Sequence, residues 1–357
     1  ACTVADYLLA YELSENPAAE ILPIVLFELE WFLKMQCEKT GGVHHKVSCA
    51  QFNALDEMPH DEMGELFLLP ISPAATADFA ATMALASRFY PEHREKFLHA
   101  AERAWNWLEA NPDAPNFTNP PDIRTGQYGD EKIQDELFWA ACELFAATGN
   151  EKYHDFIKSS EICTGLGWAE MGTYGIVAYL KHCEKRDAAL TENMRKKLFD
   201  ECERIIGKNK NEPYGTSQET KYRWGSNFDV ANNAMTLLLY SLVAEKNSLY
   251  EEIATEHMHY LLGRNPLSIS YITGFGANAA KNPHHRPSVA VGSAFAGMVV
   301  GGPNNTTVRD TALQSHCEGN PPSKFYVDHK DSFASNEIAI YWNGAVYFVA
   351  AVLNCDC

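Results

Sequence analysis

Near the C-terminal end, three carboxylates, Asp328, Asp331 and Glu337, stand close together in a stretch bordered by Tyr326, Phe333, Tyr341 and Trp342. Neighbouring acids can move protons, and flat aromatic faces stack on pyranose rings, so this combination is suited to a carbohydrate site. A plainer reading stands beside it. Glu337 falls in the first turn of an apolar segment, 335–353, with Ser335 or Asn336 as its N-cap, where a carboxylate simply complements the helix dipole. Spacing alone also permits Asp328 or Asp331 to act as a base opposite Glu337.

A second group lies upstream, in Ser270-Tyr271-Ile272-Thr273-Gly274-Phe275-Gly276 and then Asn282-Pro283-His284-His285-Arg286-Pro287-Ser288. Gly274 and Gly276 let backbone approach a ligand, and Pro283 and Pro287 fix how the imidazoles and the guanidinium between them are presented. The alternative is an ordinary surface turn. A metal on His284 and His285 is disfavoured, since no third His or Cys stands at ligand spacing. Further upstream, Thr125-Gly126-Gln127-Tyr128-Gly129-Asp130 followed by Asp135-Glu136 gathers hard oxygen donors around a tight turn, as a cation site would. Acids enriched at a helix N-terminus give the same pattern.

The elements that must carry these groups are helical. Apolar residues recur at three-and-four spacing in about eleven segments. They cover roughly 2–14, 19–37, 71–89, 91–110, 130–148, 150–160, 171–184, 191–208, 228–245, 247–263 and 335–353. Ser72-Pro73 and Pro91 open two of them, and Gly149-Asn150 closes another. Short connections favour antiparallel helical hairpins, while two long irregular stretches, 38–70 and 264–334, are the loops expected to hold function. An odd number of helices suits a closed double ring poorly, so one helix is expected to be missing, and the opening ACTVADYLLAYELSENP reads as already helical. No internal repeat is evident, which disfavours a solenoid.

Composition fits one large domain over 1–357: 357 residues, 46% hydrophobic. A formal charge of −18 argues against nucleic acid or anionic lipid as a partner, but not against a neutral polymer. No apolar run is long enough for a membrane span, and no signal peptide opens the chain. The ten cysteines form no C-x-x-C pair. Cys37, Cys142, Cys183 and Cys202 fall in helical segments and read as buried thiols; the terminal Cys355-Asp356-Cys357 reads as a frayed tail. Asn116-Phe117-Thr118 and Asn304-Asn305-Thr306 are glycosylation sequons.

At both chemical motifs the chain resembles glycoside hydrolase family 9. Ser270, Ile272, Thr273, Gly276, Asn278, Pro283, His284 and Arg286 match the family's first signature, and Asp328, Phe333, Glu337, Ala339 and Asn343 match its second. Gly344 and Trp342 depart from the usual residues. Glu30-Trp31-Phe32-Leu33-Lys34, Asp135-Glu136-Leu137-Phe138-Trp139-Ala140-Ala141 and Trp224-Gly225-Ser226-Asn227 extend the likeness along essentially the whole chain. The resemblance implies an all-α (α/α)6 barrel lacking its first helix, and secreted hydrolysis of β-1,4-glucan with inversion. Glu337 is then the general acid, Asp328 and His284 its catalytic companions, and Arg286, Trp224, Trp342 and Tyr271 the substrate-binding residues. The family's Asp-Ala-Gly-Asp segment, which holds and activates the attacking water, has no match in these residues. Asp6, inside the opening helix, is a poor substitute. The base is therefore expected upstream of Ala1, and the isolated chain is expected to show little or no activity; an inactive glucan-binding remnant is the alternative. The resemblance also suggests calcium on Thr125, Gly126, Asp130, Asp135 and Glu136, no zinc and no organic cofactor. It leaves open the preferred glucan, endo or processive action, and the oligomeric state.

Overall fold

Helices that are buried all round alternate along the chain with helices that bury one stripe, and the residues explain which is which. The computed structural model describes residues 1–353; the Cys355–Cys357 tail lies outside them. The expected helices are present as α1 (Cys2–Leu13), α2 (Ile21–Met35), α3 (Pro73–Ala86), α4 (Arg94–Ala110), α5 (Gln134–Thr148), α6 (Glu151–Ser159), α7 (Gly172–His182), α8 (Ala188–Asn209), α9 (Ser226–Val243), α10 (Ser248–Leu261) and, after three short helices described below, α14 (Ile340–Leu353). The chain gathers into two compact units. One holds 1–12, 18–52 and 63–199, the other 13–17, 53–62 and 200–357.

In the first unit α3 starts at Ser72, whose Oγ accepts from the Ala75 amide, with Pro73 at the first helical position. Its alanines and threonines are small enough for neighbours to close on every side, and nearly all of α3 is buried. α5 and α7 are enclosed in the same way and pack on one another, with α3 also against α5. α4 instead buries Phe97, Ala100, Ala101, Ala104, Trp105 and Leu108, the stripe expected of a one-faced helix. Trp105 meets Tyr153 and Phe156 of α6 edge-on; full burial of such a side chain contributes about 1.5–3 kcal/mol. The loop 38–70 contains a short antiparallel pair, β1 (Val47–Cys49) with β2 (Leu66–Leu68), in the register Ser48 to Phe67.

In the second unit α9 is enclosed and packs on one face of α14, and α10 covers them with Tyr250, Ile253, Ala254, His257, Tyr260 and Leu261. Around Phe228, Tyr271, Val300 and Trp342 they form a continuous apolar core. The long loop 264–334 holds α11 (Arg286–Val291) and α12 (Thr311–Cys317), and its end runs into α13 (Phe333–Asn336). Between them run extended strips joined by single bridges: Ile272 with Val299, His284 with Glu337, and Val300 with Ile338.

The last expected helix, 335–353, is therefore interrupted. Glu337 is extended (φ −63, ψ 158) between α13 and α14. The reason is sideways pairing: the His284 amide donates to the Asn336 carbonyl at 2.8 Å, and the Gly301 amide to the Glu337 carbonyl at 3.0 Å. These bonds take groups that a continuous helix would use internally. Glu337 is not a helix N-terminal carboxylate. The described cysteines are all free; Cys142 and Cys202 are buried within helices and Cys183 is buried at the end of α7, while Cys37, just past α2, is half-buried.

Candidate active site

Glu337 is presented by backbone on both sides, from the 283–286 strip and from 299–302. The second strip is also tied to the start of α9. The Asn227 amide donates to the Gly301 carbonyl at 3.0 Å, Asn227 Nδ2 to the Val300 carbonyl at 2.8 Å, and Ser226 Oγ to the Pro303 carbonyl at 2.7 Å. Such closeness requires Gly302: it has φ +89, and a Cβ there would sit 2.4 Å from Asn227 Oδ1. Trp224, just ahead of α9, is thereby set beside the acid, and its Nε1 donates to Glu337 Oε2 at 2.8 Å. Burial raises the Glu337 carboxyl above its usual range, opposed by the Trp224 hydrogen bond and the Arg286 charge. A half-buried carboxyl inclined to keep its proton is what a general acid needs.

His284 Nδ1 lies 2.6 Å from the Lys330 carbonyl. A carbonyl only accepts, so Nδ1 carries the proton and Nε2 of the neutral ring is an acceptor. Burial also lowers the tendency of this imidazole to protonate. Arg286 donates through Nε and Nη2 to the Asn53 carbonyl, at 3.3 and 3.1 Å, which fixes the guanidinium plane. Phe333 packs against both the Trp224 and the His284 rings, with centroids 5.7 and 6.0 Å away. The arrangement joins a carboxyl raised above its usual range to an imidazole acceptor and a guanidinium donor, a set that can bond hydroxyls.

A model of the family described as Glycosyl hydrolase family 9 matches residues 1–350. The chain belongs to glycosyl hydrolase family 9. It is 36% identical to a cellodextrinase of Butyrivibrio fibrisolvens over 92% of this chain and 64% of that protein. It is 33% identical to a xyloglucan-specific endo-β-1,4-glucanase of Bacteroides ovatus over 96% of this chain and 61% of that one. The solved structure of AaCel9A with a cellobiose-like isofagomine covers 99% of this chain and 71% of its own, at a TM-score of 0.93 and 36% identity. The fold is accordingly the family's all-α (α/α)6 barrel. The chain spans less than two thirds of the length of the two curated relatives named here.

Within this family 9 chain, the residues singled out from sequence divide into three groups. Glu337, Trp224, His284 and Arg286 come together as described. Asp328 is close by but occupied: it accepts from the Lys281 and Asn282 amides at 2.8 Å each, and from Asn336 Nδ2 at 3.2 Å. It clamps the loop that carries His284. Asn336, which sequence reasoning treated only as a possible cap, links this clamp to Tyr326, whose hydroxyl donates to Asn336 Oδ1 at 2.7 Å. Its position next to Glu337 was the available signal.

Trp342 and Tyr271 are corrections. Trp342 is 2% exposed and Tyr271 0%, and both belong to the apolar core of the second unit. Trp342 lies against Gly225, where a Cβ would come within 2.9 Å of the indole. Tyr271 packs between Tyr260 and Tyr326. Neither ring face is open to a sugar. α14 buries the face that carries Trp342, and the strip carrying Tyr271 points that side chain inward.

At the Thr125–Glu136 turn, in the first unit, part of the expected ligand set is already engaged. The ammonium of Lys46 hydrogen-bonds Thr125 Oγ1 at 3.2 Å and also the Gly126 carbonyl, above the rings of Phe117 and Tyr128. Asp135 Oδ2 accepts from the Met171 amide at 2.7 Å. One buried oxygen each of Asp130 and Glu136 has no hydrogen-bond partner. Burial, with Asp78 and Asp135 nearby, pushes the Glu136 carboxyl up to about 11. Among the described residues, no three His, Cys, Asp or Glu side chains are placed to hold a metal ion.

Proposed function

We propose that this chain carries the proton-donating side of a β-1,4-glucan hydrolase that cleaves internal glucosidic bonds with inversion. The observation that carries the reading is Glu337: a half-buried carboxyl with one oxygen engaged by Trp224, on a strip shared with His284. In this reading Glu337 protonates the glycosidic oxygen as the bond to the anomeric carbon breaks. Water, deprotonated by a second carboxylate roughly 6.5–9.5 Å from the acid, adds from the opposite face. That base is assigned to the Asp-Ala-Gly-Asp segment characteristic of the family, which these 357 residues do not contain. His284 Nε2 and the Arg286 guanidinium bind sugar hydroxyls, and Asp328 keeps their loop in place. Support comes from the family itself and from the glucanase names of its relatives.

The test is reducing-end release from soluble β-glucan by this chain, alone and extended upstream through an Asp-Ala-Gly-Asp segment. The chain alone is expected to release little or nothing, and the extended one to hydrolyse. In the extended protein Glu337→Gln should slow glucan cleavage by about 10²- to 10⁴-fold. An aryl cellobioside whose leaving group needs no proton should lose far less. Equal loss on both substrates would remove Glu337 from the acid's role; an extended protein that binds glucan without cleaving it would be a binding remnant.

Calcium at the Thr125–Glu136 turn is a separate proposal. The unpartnered oxygens of Asp130 and Glu136 support it, and the Lys46 ammonium on Thr125 and Gly126 opposes it.

A further inference from the structure

Trp224 was expected to be a platform for a sugar ring, yet its polar edge has a more specific task. Indole Nε1–H can donate and cannot accept. At 2.8 Å from Glu337 Oε2 it bonds an oxygen that offers a lone pair, whatever the protonation state of the carboxyl. When Glu337 is protonated, the carbonyl oxygen is the stronger acceptor of the two, so the indole N–H favours Oε2 as the carbonyl and Oε1 as the oxygen that carries the hydrogen. The placement is rigid because donor and acceptor share a mount. The Trp224-Gly225-Ser226-Asn227 turn is bonded to Val300, Gly301 and Pro303, and Gly301 is bonded to the Glu337 backbone. The Trp224 ring is in turn braced by Phe333, 5.7 Å away.

We propose that Trp224 is a positioning residue for the general acid, holding Oε2 of Glu337 so that Oε1 alone presents the proton to the glycosidic oxygen. This rests on Glu337 being the acid. The same bond strengthens the carboxylate form and so limits how far burial raises the carboxyl. The charged and titratable groups on the strips packed around Glu337 are His284, His285 and Arg286. On its own segment they are Asp328, His329, Lys330 and Asp331, the last paired with Lys330 at 2.9 Å, and beside Trp224 stands Arg223, paired with Asp229 at 2.6 Å. None of them changes when only the indole N–H is removed.

The experiment replaces Trp224 by 3-benzothienylalanine, which keeps the ring shape and lacks the N–H, and separately makes Trp224→Phe. The Glu337 carboxyl is titrated directly by ¹³C NMR in the 357-residue chain, with Glu337→Gln identifying its signal. The measurement needs no turnover, so it stands apart from any failure of the hydrolytic reading. Both variants should raise the midpoint by about one unit, the effect of one hydrogen bond to a charged group. An unchanged midpoint in the benzothienyl variant would overturn the proposal, and so would a fall. If Trp224→Phe does not fold, the benzothienyl variant alone decides. In the upstream-extended enzyme the same variant should move the basic limb of the kcat profile upward and lower kcat on glucan with little change in KM; a KM effect alone would make Trp224 only a sugar platform.

Discussion

Side chains of the same type have opposite fates here, and their neighbours decide which. Two tryptophans were read as sugar platforms. Trp224 lies beside a half-buried acid with its N–H committed, while Trp342 fills the core against Gly225. Among the acids, Glu337 keeps one oxygen available, whereas Asp328 spends both on backbone amides and Asn336. The cation turn shows the same dependence on surroundings. Lys46 already occupies the Thr125 hydroxyl and the Gly126 carbonyl, and burial favours the protonated form of Glu136, so a calcium ion would have to displace an ammonium and release a proton. If calcium binds there, adding it after chelation should raise the melting temperature by several degrees and release protons detectable in weak buffer. No shift in either measurement would leave Lys46 as the resident cation and end the calcium reading.

At the scale of elements, the site depends on extended strips packed edge to edge, not on a helix terminus. Their closeness rests on Gly302, whose positive φ and missing Cβ let the 300–303 strip lie against Asn227. Gly302→Ala should therefore cost at least about 1–3 kcal/mol, from the strained conformation and the clash together. Denaturant midpoints would measure that loss, and the Trp224–Glu337 bond should loosen with it, visible as a changed Glu337 titration. A wild-type midpoint in Gly302→Ala would mean that the strip is not held as described. The helices themselves were legible because three-and-four spacing survives in the one-faced ones, such as α4 and α10. The break at Glu337 was not, since a local pattern of apolar residues carries no information about pairing with residues 284 and 301.

For the molecule as a whole, the net charge of −18 counts every acid as ionised, and burial works against that for several of them. Burial pushes the Asp6 carboxyl up to about 7, although the Tyr174 hydroxyl donates to it at 2.6 Å, and it pushes Asp78 up to about 7. In the unfolded chain both lose their protons near 4. Between those values the folded state binds protons that the unfolded state does not, so stability is fullest at low pH and declines as pH rises towards 7. Glu136, at about 11, continues the decline beyond neutrality. Melting temperature should fall from pH 5 to pH 8, and Asp6→Asn should make the fall shallower. For Asp6 the linked free energy is at most about 4 kcal/mol over the full interval. An equally steep fall in Asp6→Asn would show that its carboxyl titrates normally.

The sequence by itself determined the helical fold, because periodicity is a property of the chain, and its motifs carried the resemblance that points to the family. Glu337, His284 and Arg286 could be named from type and order alone. Only the tertiary structure decided which oxygen of Glu337 is held, that Asp328 serves its loop, and that Trp342 and Tyr271 are core. Those outcomes depend on contacts between residues far apart in sequence, such as Trp224 with Glu337 and Asn53 with Arg286. Direction and burial are set there, not by residue type.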